Sequence, residues 1–259
     1  AGPIADDWRE NDYVSGPVTP PVAVGGLVYV ARPDAHQVVA LDAATGTPRW
    51  TFTANGRIDT PPTIHRSLCL FGTKSGWVYC LRAQDGRLVW RLRAAPRDQR
   101  IIAYGQIESP WPVPGSVLVV EGIAYFAAGR QPLADGGILG FAVEPATGKI
   151  VWVKRQNSVP QTQFYESSGL EFVNFDLLQR EGQSVALSRW LFDRQSGQMK
   201  CEWKSGFAHL VTGGSGFIGS HLVHRLISEG AEVAVMARYG SVVKNERLRD
   251  CWDGLLVIE

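Results

Sequence analysis

The sequence predicts a mostly β chain, four-stranded antiparallel blades set in a partial propeller of about four repeats, followed by a short α/β Rossmann-like βαβ fragment. Three observations carry this. A turn motif recurs four times before about residue 205. Short apolar strands flank each copy. From Phe207 the pattern changes to strand, glycine loop, helix, strand.

The repeats come first. "VVALDAATGTPRW" (38–50), "VYCLRAQDGRLVW" (78–90) and "GFAVEPATGKIVW" (140–152) each read as a strand, a turn and a strand ending in Trp. A fourth stretch, "RWLFDRQSGQMKCEW" (189–203), keeps Asp193, Ser196 and Gly197 but is degenerate, with Cys201 at the Trp position. The turn glycines Gly46, Gly86, Gly148 and Gly197 are 40, 62 and 49 residues apart. Such a period, with several strands in it, predicts propeller blades. Acidic and hydroxyl side chains suit hydrogen bonding to the turn backbone. Glycine supplies the positive φ that closes it. Trp50, Trp90 and Trp152 read as packing between blades rather than as a ligand site.

Bulk properties narrow the function. At 259 residues and 45% apolar content, the chain is long enough for two ordinary domains. A net charge of +1 gives no footprint for nucleic acid or an anionic membrane surface. No run of 18 apolar residues exists, so no membrane span is expected. "AGPIADDWRE" has neither the basic nor the apolar part of a leader, so the expectation is a leader already removed or a fragment. Cys69 and Cys80 flank "GTKSG" symmetrically, as a cross-strand disulfide or as two buried thiols. No C-x-x-C pair suggests zinc.

The string Ala40-Leu41-Asp42-Ala43-Ala44-Thr45-Gly46-Thr47-Pro48-Arg49-Trp50 resembles the pyrroloquinoline-quinone-type (PQQ-like) propeller repeat, over roughly residues 15 to 205. The resemblance implies either a quinoprotein dehydrogenase or a propeller that binds no quinone and serves as a scaffold. The dehydrogenases carry adjacent cysteines and a calcium site. This chain has no Cys-Cys pair, and its oxygen ligands Asp59, Glu108, Asn174 and Asp176 form no defined pattern. No quinone is therefore expected, and the propeller reads as a scaffold or binding module for a protein or small-molecule partner. For this part the resemblance implies an extracytoplasmic setting, whereas that of the second unit, read below, implies a cytoplasmic one. About four blades are visible, fewer than this family usually closes with, which predicts an incomplete ring with exposed sheet ends.

The second unit is read over 206–259. "FAHLVTGG" is a strand entering glycines, "SGFIGSHLVHRLISEG" has helical apolar spacing ending at Gly230, and "AEVAVMA" and "GLLVIE" are further strands. A G-x-G-x-x-G between a strand and a helix lets pyrophosphate approach the backbone at the helix N-terminus. Thr212 to His221 resembles the opening of the extended short-chain dehydrogenases/reductases, the NAD-dependent epimerase/dehydratase family acting on nucleotide sugars. This implies a partial Rossmann site made by Gly213, Gly214, Ser215, Gly216, Phe217, Ile218 and Gly219, binding NADP or NAD weakly. Arg238, where NAD-selecting members have an acid, favours NADP through its 2′-phosphate. The Tyr-x-x-x-Lys pair of that family is missing; Tyr239 and Lys244 are five apart and misplaced. No catalytic residue is expected in this chain, and His221 with His224 is too small a set for a metal. The nearly linker-free junction "WKSGFAHLVTGG" suits a fusion or chimeric fragment. The alternative is the front of an epimerase/dehydratase fused to a propeller.

Overall fold

The structure, a computed structural model, describes residues 17–103, 105–130, 132–158, 177–187, 190–201, 209–212, 217–230, 233–236, 246–251 and 255–258. The chain divides into two compact units, Ala1–Cys201 and Glu202–Glu259.

The first unit holds four blades, each a four-stranded antiparallel sheet with its strands in chain order. Blade one is β1 (Val22–Val24), β2 (Leu27–Arg32), β3 (Gln37–Asp42) and β4 (Pro48–Thr53). Blade two is β5 (Thr63–His65), β6 (Leu68–Gly72), β7 (Trp77–Arg82) and β8 (Leu88–Arg93). A separate hairpin follows, β9 (Ile101–Ala103) and β10 (Gln106–Glu108). Blade three is β11 (Leu118–Val120), β12 (Ile123–Ala128), β13 (Ile138–Val143) and β14 (Ile150–Gln156). Blade four is β15 (Gln179–Glu181), β16 (Ser184–Leu187), β17 (Trp190–Asp193) and β18 (Met199–Cys201).

The repeat motif sits at the third turn of each blade. The Asp42 carboxylate accepts the N–H groups of Ala44 (3.1 Å) and Thr45 (2.9 Å) and the Thr45 hydroxyl (3.0 Å). Asp193 does the same for Gln195, Ser196 and the Ser196 hydroxyl. The Arg49 guanidinium, with these turn donors, holds the Asp42 carboxyl down at about 2. A bulge follows at one equivalent place, between Ala40 and Leu41, Cys80 and Leu81, and Ala142 and Val143.

Blade faces stack to make the core. Tyr29, Val38, Phe71, Tyr79 and Leu81 fill the layer between blades one and two, where the Phe71 and Tyr79 rings stack at 5.4 Å. Leu70, Val78, Phe126 and Phe141 fill the next layer, and Ile138, Val185, Trp190 and Phe192 the third. The fourth blade is complete in its strands despite its degenerate motif. Ala40, Cys80 and Ala142 face Trp50, Trp90 and Trp152 across the sheet, whereas Trp190 faces Cys201. Trp190 stands three residues before Asp193, the place that Tyr79 and Phe141 hold relative to Arg82 and Glu144, and packs in the layer toward blade three.

The cysteine alternative resolves to two buried free thiols. Cys69 pairs with Leu81 and Cys80 with Leu70, so the two alternate to opposite faces and join different core layers.

In the second unit, β19 (His209–Thr212), β20 (Val233–Met236) and β21 (Leu255–Ile258) form a parallel sheet in that order, with α1 (Phe217–Ser228) between the first two strands in sequence. Val223, Val233, Val235 and Leu248 make its small core. Gly230 ends the helix at φ +79°, its N–H bonded to the Ile227 carbonyl. Of the apolar residues that mark the helix in sequence, Phe217, Ile218 and Leu222 are exposed and only Val223 is fully buried. Among the described residues, no helix is long and apolar enough to cross a membrane.

Candidate functional site

Six charged residues gather in the first unit. Arg57 Nε lies 2.6 Å from Asp59 Oδ1, and its guanidinium also pairs with Asp34. Lys74 Nζ lies 3.5 Å from Glu108 Oε2 and 3.8 Å from Asp59 Oδ2. Arg130 pairs with Glu108. The Arg57, Asp59, Lys74 and Glu108 side chains are all at least nine-tenths buried. Backbone bonds tie their segments together: Lys74 N–H donates to the Arg57 carbonyl and Ser109 N–H to the Lys74 carbonyl, both at 2.8 Å. Burial pushes the Lys74 ammonium down to about 8, an effect that Asp59 opposes and Arg130 and Arg57 reinforce. Three cations thus face three carboxylates, the matched state that makes buried charge tolerable.

Above this cluster lies a cleft of about 290 Å³, its walls including His36, Asn55, Ser75, Trp77, Gln106 and Ile107. Ser75 Oγ donates to Asn55 Oδ1 at 2.6 Å, and the Arg91 guanidinium sits 5.0 Å from the Trp77 ring. Burial pushes the His36 imidazole down, so a neutral ring is favoured. The β9–β10 hairpin forms one rim. Its Ile102 and Ile107 are direct cross-strand partners and are 72% and 59% exposed. Among the described residues the two strands pair only with each other.

The sequence offers Asp59 and Glu108 as oxygen ligands, and the structure brings them together around Lys74. Asn174 and Asp176 lie outside the described residues. Arg57, Lys74 and Arg130 escape sequence reasoning; a lysine between Phe71 and Trp77, in "FGTKSGW", is the available signal.

In the second unit β19 ends at Thr212 and α1 begins at Phe217. Gly213, Gly214, Ser215, Gly216 and Arg238 lie outside the described residues. Phe217, Ile218 and Gly219 open α1, and Ser220 Oγ donates to the Phe217 carbonyl at 2.9 Å. His221 packs edge-on against Phe217, 4.9 Å between ring centres. His224 Nε2 is 2.7 Å from the Arg247 carbonyl. That contact makes this nitrogen a donor, although Asp250 and Cys251 lie close by.

The first unit is therefore a propeller segment built from PQQ-like repeats, carrying a cleft beside the β9–β10 hairpin. A family model described as outer membrane protein assembly factor BamB matches residues 5–163, more than half of the sequence, and the chain belongs to that family. A second model, the NAD dependent epimerase/dehydratase family, matches residues 209–256. Outer membrane protein assembly factor BamB of Burkholderia pseudomallei (strain K96243) is 28% identical over 152 residues, 59% of this chain and 33% of that protein. The dehydrogenase subunit of alcohol dehydrogenase (quinone) of Gluconobacter oxydans (strain 621H) is 30% identical over 146 residues, 51% of this chain and 18% of that one. The chain thus spans a third or less of the length of these relatives. Among solved structures, quinohemoprotein alcohol dehydrogenase from Comamonas testosteroni shares the fold at a TM-score of 0.51 and 17% identity, covering 73% of this chain and 35% of its own.

Proposed function

We propose that the first unit is a non-catalytic propeller scaffold whose rim cleft docks an extended segment of a partner protein outside the cytoplasm. The observation that carries this is the exposed Ile102–Ile107 pair on a two-stranded hairpin beside a cleft. An extended peptide laid along such a hairpin adds backbone hydrogen bonds, with the isoleucines as anchors. The name of the Burkholderia relative, an outer membrane protein assembly factor, supports a protein partner over a small molecule. The charge cluster supports a scaffold over a quinone enzyme. Asp59 and Glu108 are already matched by Lys74, Arg57 and Arg130, and a calcium ion placed there would meet three cations.

The test is photocrosslinking in the source cell, with a probe at position 102 or 107 and a control at Val151. The expected outcome is one discrete adduct from the hairpin positions and none from the control, with the adduct lost when the neighbouring isoleucine becomes Asp. Equal adducts at all three positions, or none, would overturn the docking site.

For residues 206–259 we propose a partial NAD(P) site formed by Gly213, Gly214, Ser215, Gly216, Phe217, Ile218, Gly219 and Arg238. It is supported by the epimerase/dehydratase match and by the parallel strand–helix–strand order. The same match favours the second reading, the front part of a nucleotide-sugar epimerase/dehydratase fused to a propeller.

A further inference from the structure

In the second unit, folding brings three side chains that ligate metals to one place. His224 lies in the second half of α1, and Asp250 and Cys251 follow the 3-10 turn Glu246–Leu248. Asp250 stands 26 residues after His224, so the chain alone does not join them. Yet an imidazole nitrogen, a carboxylate oxygen and a sulfur lie within 4.8 Å of one another. His224 Nε2 is 3.6 Å from Asp250 Oδ1. Two ligands held about 2.0–2.2 Å from a tetrahedral ion stand about 3.4 Å apart, so this pair already has nearly that spacing. The Arg247 carbonyl, 2.7 Å from Nε2, is a further oxygen donor. Cys251 Sγ makes a long 3.5 Å contact with the Leu248 carbonyl, which a side-chain torsion gives up.

Packing holds the arrangement. Leu248 sits in the core of this unit with Val223, the neighbour of His224, and Cys251 packs against the same core. These contacts fix the helix beside the turn. His221, the other histidine of α1, packs against Phe217 and takes no part. Asp250 is exposed and His224 half-buried, so an ion in solution can reach the pair.

We infer that His224, Asp250 and Cys251 form a site for a single zinc ion that clips α1 to the Glu246–Leu248 turn. The donors select the ion. Imidazole and thiolate suit Zn²⁺, whereas Mg²⁺ and Ca²⁺ take oxygen ligands. One thiolate and one carboxylate also balance the charge of the ion. In the structure Nε2–H donates to the Arg247 carbonyl; zinc takes the other neutral tautomer, with the ring proton on Nδ1, and the thiol proton leaves to solvent. The fourth position goes to the Arg247 carbonyl or to water, as where zinc has three side-chain ligands. The clip has a physical use. Among the described residues, Val223, Val233, Val235 and Leu248 are the whole buried core of this unit, and a metal is one device by which a small core becomes stable.

Titration of the reduced full chain with Zn²⁺ and, separately, with Co²⁺ tests this. The expected result is one equivalent of zinc retained through dialysis, and a cobalt spectrum with a thiolate charge-transfer band and the strong visible bands of a tetrahedral site. Cys251→Ser should remove that band. Loss of even an outer-shell partner costs about 10-fold or more in affinity, so Cys251→Ser and His224→Gln should each weaken zinc binding by at least about that factor, and His221→Gln should not. Zinc should also slow amide exchange in α1 and in residues 246–251 of the unmodified chain, with the blades unmoved. A cobalt complex of the unmodified chain without the thiolate band overturns the inference. So does zinc binding that Cys251→Ser and His224→Gln leave unchanged. The cobalt spectrum and the exchange pattern are read on the unmodified chain, so a variant that fails to fold leaves the test intact.

Discussion

Lys74 is a residue whose chemistry its surroundings alter strongly. Its ammonium is buried, and burial lowers its folded-state pKa to about 8 from an ordinary 10.5. A cation held below its usual pKa costs stability for as long as it stays charged. That cost is relieved as pH rises, because between about 8 and 10.5 the unfolded chain binds more protons at this site than the folded one. The expected outcome is that the wild-type protein gains stability relative to Lys74→Met across that window, measured by urea unfolding at a series of pH values. A constant difference would show that Lys74 stays charged throughout. Nothing in the local sequence reveals this, since the carboxylates come from positions 59 and 108 and meet the lysine only through folding. The turn residues behave oppositely: Asp42 and Thr45 bond within a few positions, so their role is readable directly.

At the scale of the element, the blade joint explains the motif's two ends at once. Tryptophan closes one blade because glycine opens a flat place on the next, and neither is useful without the other. Truncating Trp90 to Ala should cost roughly 3–5 kcal/mol, the range for large aromatic core deletions. Chemical denaturation measures it, and a loss below about 1 kcal/mol would mean that the ring is not packed between blades. The strands and their order follow from period and turn chemistry. The β9–β10 hairpin does not. Its "RIIAYGQIE" has an apolar pair on a solvent face, which sequence patterning assigns to a core. Helix α1 shows the same limit: Phe217 and Ile218 keep helical spacing with buried residues yet stand in solvent.

For the whole molecule the expectation concerns how ligand energy is distributed between the two units. If 206–259 carries the dinucleotide site, NADP should slow amide exchange in that unit alone, leaving blades one to four at their unliganded rates. Gly216→Val should abolish the effect, because a side chain there blocks approach of the pyrophosphate. Unchanged affinity in that variant would sink the phosphate-loop reading; hydrogen-exchange mass spectrometry with titrated NADP reads both. The change in architecture is visible in the sequence because a period of two gives way to a glycine loop and a helical period within a few residues. The nucleotide preference rests on the single residue Arg238 and is not visible in composition.

The tryptophan–glycine joint has a direction: blades one to three each offer a plug, and blades two to four the socket that receives it. A row of such pieces is indifferent to its own length. A gene that duplicates or drops one piece leaves every remaining joint intact, which is how an array of this kind tolerates recombination. The same polarity gives any uncapped end an affinity for the opposite end of a like molecule. Head-to-tail matches of that kind need not close and can grow, so an unpaired end must be covered or kept dilute.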